Sequence, residues 1–85
     1  GWSVRYGSRT TTSAAYDKDA PAVALLRRAG AVFIGQTTTP EFGWKAITDS
    51  GLCGITRNPW NAQKTPGGSS GGAAVAAATG AGVFH

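Results

Sequence analysis

Polar and apolar positions divide this chain into three pieces. At the start, Trp2, Val4 and Tyr6 alternate with Ser3, Arg5 and Gly7, and that period of two predicts a short strand or extended segment. It leaves into a polar loop from Gly7 to Ala15. The spacing then becomes helical. Ala22, Val23, Leu25, Leu26 and Ala29 make one apolar face, Asp19 stands where an N-cap belongs, and Pro21 falls in the first turn, where its missing N–H is not needed. Arg27 and Arg28 complement the C-terminal dipole, and Gly30 supplies a left-handed stop. Ala31-Val32-Phe33-Ile34-Gly35 follows as a continuous apolar run of strand length, the pattern of a parallel-sheet strand covered on both faces. Helix, glycine turn and buried strand form the second half of a βαβ unit and predict an α/β fold class.

The second piece opens after Gln36-Thr37-Thr38-Thr39. Glu41 to Trp44 is expected to make one helical turn, with Thr39 as cap and Pro40 in the first position. Residues 46 to 66 carry Gly51, Gly54, Pro59 and Pro66 and little periodicity. A loop of that length argues against a complete small domain and is commoner among the functional loops of a larger enzyme. The third piece is Pro66-Gly67-Gly68-Ser69-Ser70-Gly71-Gly72, running into a helix of small residues from Ala73 to Gly80. Apolar all round, such a helix is expected to be buried against neighbours.

Composition changes this picture in one respect. Of 85 residues, Leu, Ile, Val and Phe supply 14, while Gly supplies 13 and Ala 15. Burying a large aliphatic side chain yields roughly 1.5–3 kcal/mol, against roughly 1–2 kcal/mol of backbone entropy for each residue ordered. One cysteine, Cys53, makes no intrachain disulfide, and a single His85 without a cysteine cluster leaves no zinc site. The expectation is that residues 1–85 are an internal fragment of a single larger domain. The lack of Met and of a charged-then-apolar signal pattern at Gly1-Trp2-Ser3 fits a chain from inside a longer reading frame. No run approaches the roughly 20 apolar residues that span a bilayer, so no membrane partner is expected. The net charge of +4 is dispersed, with only Arg27 and Arg28 adjacent, unlike the clustered cations of a nucleic-acid footprint. A lone thiol favours a reducing, cytoplasmic setting.

The glycine-serine loop carries the candidate chemistry. Glycines on both sides of two serines let a substrate approach the main chain, and the following helix start points N–H groups at one spot. Four readings are open on the residues alone. A phosphate loop would need a Gly-Lys-Ser/Thr ending, and Lys64 lies before the glycines. A nucleophile elbow needs one serine between glycines after a strand, and a histidine partner. Serine chemistry without histidine, in which a lysine and a second serine handle the proton, needs neither. A glycine-rich linker with Ser70 capping the helix needs no chemistry at all.

Context decides between them. Thr65-Pro66-Gly67-Gly68-Ser69-Ser70-Gly71-Gly72-Ala73-Ala74-Val75-Ala76-Ala77 closely resembles the core of the amidase signature family. Gly35-Gln36-Thr37-Thr38-Thr39-Pro40-Glu41-Phe42-Gly43 is similar to that family's strand and its TNxPEFG turn, Gly54-Ile55-Thr56-Arg57-Asn58-Pro59-Trp60 to its GxTRNPW segment, and Leu25 to Gly30 to its LLRxAGA helix. The likeness is collinear over essentially the whole chain.

That resemblance implies an α/β/α fold around a mixed sheet, of which this chain is a partial segment, and a Ser-cisSer-Lys triad that hydrolyses a carboxylic amide to acid and ammonia or amine. By motif, Ser69 corresponds to the bridging serine preceded by a cis peptide, with Gly67 and Gly68 shaping its turn and Ser70 in a supporting, helix-capping place. Gly43 ends, and Trp44 follows, the turn where the family's main chain approaches the substrate amide, and the resemblance implies substrate-binding places for both. The lysine is expected before residue 1 and the nucleophilic serine beyond His85. Lys18, Lys45 and Lys64 lie outside the family's lysine motif and read as solvated charges. Glu41 reads as a helix-start charge, Arg57 as a loop anchor through a bidentate pair, and Cys53 as an inert thiol. The implied partners are a small-molecule amide and the remainder of the parent chain, with no nucleic acid contacted directly, no metal and no cofactor. Two alternatives stand beside a free amidase: the ammonia-releasing subunit of a transfer-RNA amidotransferase, and a non-catalytic structural piece whose glycine loop binds an anion. Pro40 and Trp44 favour the free amidase.

Overall fold

Residues 2–82 are described by a computed structural model; expectations resting on His85 lie outside them. In chain order the elements are helix α1 (Pro21–Arg28), a 3-10 turn (Glu41–Gly43), strands β1 (Asp49–Ser50) and β2 (Gly54–Ile55), and helix α2 (Gly71–Ala78).

Both helices end as their glycines require. Gly30 has φ +89°, its N–H donates to the Arg27 carbonyl, and the Ala31 N–H donates to the Leu26 carbonyl at 3.0 Å. Gly80, φ +72°, closes α2 the same way, with Ala81 N–H on the Ala76 carbonyl at 2.9 Å. Each is a Schellman stop, which satisfies carbonyls left over by the last turn. The start of α1 departs from expectation by one residue. Ala20, not Asp19, is the N-cap, and no side chain caps it, because Pro21 holds the preceding residue extended. The Asp19 carboxylate instead receives Arg27 Nε at 2.7 Å and Nη2 at 3.3 Å. That hydrogen bond holds its carboxyl below the ordinary value of 3.8. A depressed carboxylate pKa contributes stability above the unfolded value, lost as pH falls through the folded one. Wherever α1 is formed, the Asp19 carboxyl is therefore expected to titrate below 3.8 by NMR, and Arg27→Gln to return it to the ordinary value; an unmoved midpoint in that variant would contradict the pair.

The expected strands are not formed. Trp2 to Tyr6 has no ladder; its chain turns at Tyr6 and Gly7, with φ of 50° and 66°. Ala31 to Gly35 has none either, and Val32 and Ile34 are 84% and 74% exposed. A strand needs a continuous neighbour to take its N–H and C=O groups, and among the described residues these segments have only isolated partners, such as the Tyr16 N–H on the Trp2 carbonyl. Phe33 is held by side chains alone, under the Arg27 guanidinium at 4.8 Å and edge-on to Trp2.

Strand pairing occurs where a loop was expected. β1 and β2 form an antiparallel hairpin in the register Asp49↔Ile55, Ser50↔Gly54. Two helices and this small sheet are compatible with an α/β class; a mixed sheet is not formed among the described residues. The radius of gyration is 13.6 Å, above the about 12 Å of a compact chain of this length. The reason is visible in the burial. No large apolar side chain is buried among the described residues, and the most deeply covered side chains are Thr48, Pro40 and Ser8. α2, expected to be buried, has most of its alanines exposed or half-buried. No helix among these residues is long and apolar enough to cross a membrane.

Candidate active site

The segment from Thr65 to Gly72 folds back on itself before entering α2. Gly67 takes φ +85°, the Gly68–Ser69 peptide is cis, and the Gly67 N–H donates to Thr65 Oγ1 at 3.1 Å. Gly68 lies so close to the main chain of Ala46 and Ile47 that a Cβ would sit 2.9 Å from their backbone atoms. Ser69 is half-buried and Ser70 exposed. Ser70 occupies the N-cap position, but its side chain makes no capping bond; its carbonyl receives the Ala74 N–H at 2.9 Å.

The capping task falls on Thr48, which no sequence motif marks. Thr48 is 2% exposed. Its hydroxyl accepts the Gly71 N–H at 2.9 Å and faces the carbonyls of Gly67 at 2.9 Å and Ser69 at 3.3 Å. A hydroxyl has one proton, so the nearer Gly67 carbonyl is its main acceptor. Thr48 is itself fixed through its own carbonyl, which receives the Thr56 N–H at 2.9 Å, while the Thr56 and Thr38 hydroxyls meet at 2.7 Å. The only local sign in the sequence was the string of loop carbonyls and helix-start amides needing partners.

Gly72 explains why Thr38 reaches this cluster. A Cβ on Gly72 would lie 2.4 Å from the Thr38 nitrogen and 2.5 Å from its carbonyl oxygen. Backbone cannot yield as a flexible side chain does. Gly72→Ala is expected to cost about 1–3 kcal/mol, the range for overpacking, read as a lower thermal midpoint of the whole protein that contains this chain. An unchanged midpoint would contradict the contact.

Trp44 and Gly43 lie apart from the serine loop in character. Gly43 has φ +68° and ends the 3-10 turn; Trp44 follows it and is 81% exposed. Pro40, not Thr39, caps that turn. Its odd member is Phe42, φ 51°, whose N–H donates to the Tyr6 carbonyl at 2.7 Å and whose ring stacks on Tyr6. Trp44 borders an open groove of about 420 Å³ with Glu41, Lys45, Asp49 and Ile55, and Ser69 does not line it. Lys45, read as a solvated charge, stays partly exposed and is also paired with Asp49 in the groove wall. Arg57 is exposed and makes no ion pair among the described residues. Cys53 is exposed in the hairpin turn.

Comparison with known proteins places these features in a context. A family model described as amidase matches residues 1–85. The chain is 55% identical over 66 residues to an indoleacetamide hydrolase of Bradyrhizobium diazoefficiens, a stretch covering 78% of this chain and 13% of that protein. It is 44% identical over 72 residues to a glutamyl-tRNA(Gln) amidotransferase subunit of Syntrophobacter fumaroxidans, covering 85% and 15%. Over 80 residues it is 52% identical to a protein described as the putative amidase AmiB2 of Mycobacterium bovis, covering 94% and 17%. The chain thus spans about a seventh of the length of the curated relatives it matches.

Proposed function

Because the chain belongs to the amidase family, we propose that residues 1–85 are an internal segment of one amidase domain and supply the middle of its active site. The reaction is hydrolysis of a small carboxylic amide. Ser69 is the bridging group: its hydroxyl sits between a lysine and a nucleophilic serine, both contributed from outside this segment, and passes the nucleophile's proton to the lysine as the amide carbonyl is attacked. The same path returns a proton to the departing nitrogen, so that ammonia or an amine leaves and water clears the acyl group. Relay by a positioned hydroxyl is general acid–base catalysis. Trp44 and Gly43 line the approach of the amide, and Gly67 and Gly68 shape the turn that presents Ser69. The parent fold on this reading is the family's α/β/α arrangement with a mixed sheet, whose other strands would pair with the exposed Ala31–Gly35 run.

The observation that carries this reading is the family match over the whole of residues 1–85. Support comes from the half-buried place of Ser69 at the entry to α2. The test is ammonia release by the full-length protein from indole-3-acetamide and from a short aliphatic amide. Release of ammonia above the uncatalysed rate is expected from at least one. If neither is hydrolysed while glutamine is, in the presence of partner subunits, the ammonia-supplying role of the amidotransferase relative is the correct one. Absence of all three activities from folded protein would overturn the amidase reading.

A further inference from the structure

We propose that Thr48 is a positioning residue for catalysis, a single buried hydroxyl that fixes Ser69 from both sides. The inference rests on the bridging role given to Ser69. Two residues before Ser69, the Gly67 carbonyl receives the Thr48 hydroxyl at 2.9 Å; two residues after it, the Gly71 N–H donates to the same oxygen at 2.9 Å. The Ser69 carbonyl lies 3.3 Å away. One oxygen therefore spans the turn that carries the relay serine and ties it to the first residue of α2.

No neighbour substitutes for it. Ser70 stands in the N-cap position without making the bond, and Thr48 is 2% exposed, so water is not at hand to replace a lost partner. Removing the hydroxyl takes the partner from the buried Gly71 N–H and the half-buried Gly67 C=O, and such groups avoid being left unpaired by moving. The turn would shift, and Ser69 with it. A shift of about 1 Å in a reacting group is enough to cost about a hundredfold in rate. Because Thr48 points at backbone, and Trp44 and Gly43 stand on a different turn, binding of the amide should be affected far less than its turnover.

The experiment compares Thr48→Val, Thr48→Ser and Ser69→Ala in the full-length protein, using whichever amide the wild type hydrolyses best. Thr48→Val keeps the shape and removes the hydroxyl. Its kcat is expected to fall about tenfold or more with KM within about threefold, the size of one or two buried groups left unpaired, while Thr48→Ser recovers at least about half of wild-type kcat by restoring the hydroxyl. A purely structural role would lower the thermal midpoint and leave kcat per folded molecule unchanged; that result in Thr48→Val overturns the proposal. If Thr48→Val does not fold, Thr48→Cys decides, since its thiol is only a weak partner: a clear loss of kcat supports the proposal and a wild-type kcat overturns it. Loss in Ser69→Ala without loss at position 48 removes the role of Thr48 alone, whereas full turnover by Ser69→Ala removes the site reading on which it rests.

Discussion

On the relay role proposed for Ser69, Ser69→Ala in the full-length protein is expected to lower amide turnover by roughly 10²–10⁴-fold, the effect of removing a positioned general acid–base group. On that reading the alanine has no oxygen to accept a proton from one partner and donate one to the other, so the relay would be broken with the turn kept. The neighbouring substitution separates this from a packing effect. Ser70 is exposed and its side chain caps nothing. Ser70→Ala is therefore expected to change stability by no more than about 0.5 kcal/mol, as at an ordinary surface position, and to leave turnover far above that of Ser69→Ala. The measurement is kcat per folded molecule for both variants. Small and equal losses from the two would remove the relay from Ser69.

The 85-residue chain by itself is expected to show no cooperative, concentration-independent thermal transition. Stability of a small domain comes chiefly from apolar burial, and no large apolar side chain is buried among the described residues. Trp44, Val32, Ile34 and Trp60 are 72% exposed or more, and the Ala31–Gly35 run offers unpaired backbone to any passing strand. Circular dichroism melting combined with light scattering reads the outcome. Gradual loss of helix, or association that grows with concentration, is expected; a sharp melt of a monomer would show that polar contacts such as those of Thr48 and Ser8 suffice to fold it. The isolated chain is also expected to release no ammonia from amides, since on the proposed reading its relay serine has neither the lysine nor the nucleophile to work between.

Where sequence and structure agree, the determining interactions are local. α1 and α2 lie within a residue or two of their expected ends because apolar spacing, Pro21, Gly30 and Gly80 act over a single turn of chain. The 3-10 turn after Pro40 was legible for the same reason. Where they differ, the missing information is a partner distant in sequence. Ala31 to Gly35 has the composition of a buried strand, but composition cannot supply the neighbouring strand that would make it one. Asp19 has the right type for a cap, but Pro21 sets the cap at Ala20, and the Asp19 carboxylate pairs instead with the Arg27 guanidinium eight residues on.

The candidate site divides along the same line. Ser69 and its glycines could be singled out from sequence because the motif is contiguous, and a glycine-rich turn before a helix restricts what the backbone can do there. Thr48 could not: it lies 19 residues from Gly67 and 23 from Gly71, in a stretch with no periodicity, and its type is common in loops. The sequence by itself determined the two helices, their stops and the identity of the serine turn, since each is written in residues that touch along the chain. Only the tertiary structure decided which hydroxyl holds that turn, why Gly72 admits Thr38, and that Lys45 is paired, because those depend on backbone groups brought together by folding, whose need for a partner is the same whatever residue supplies it.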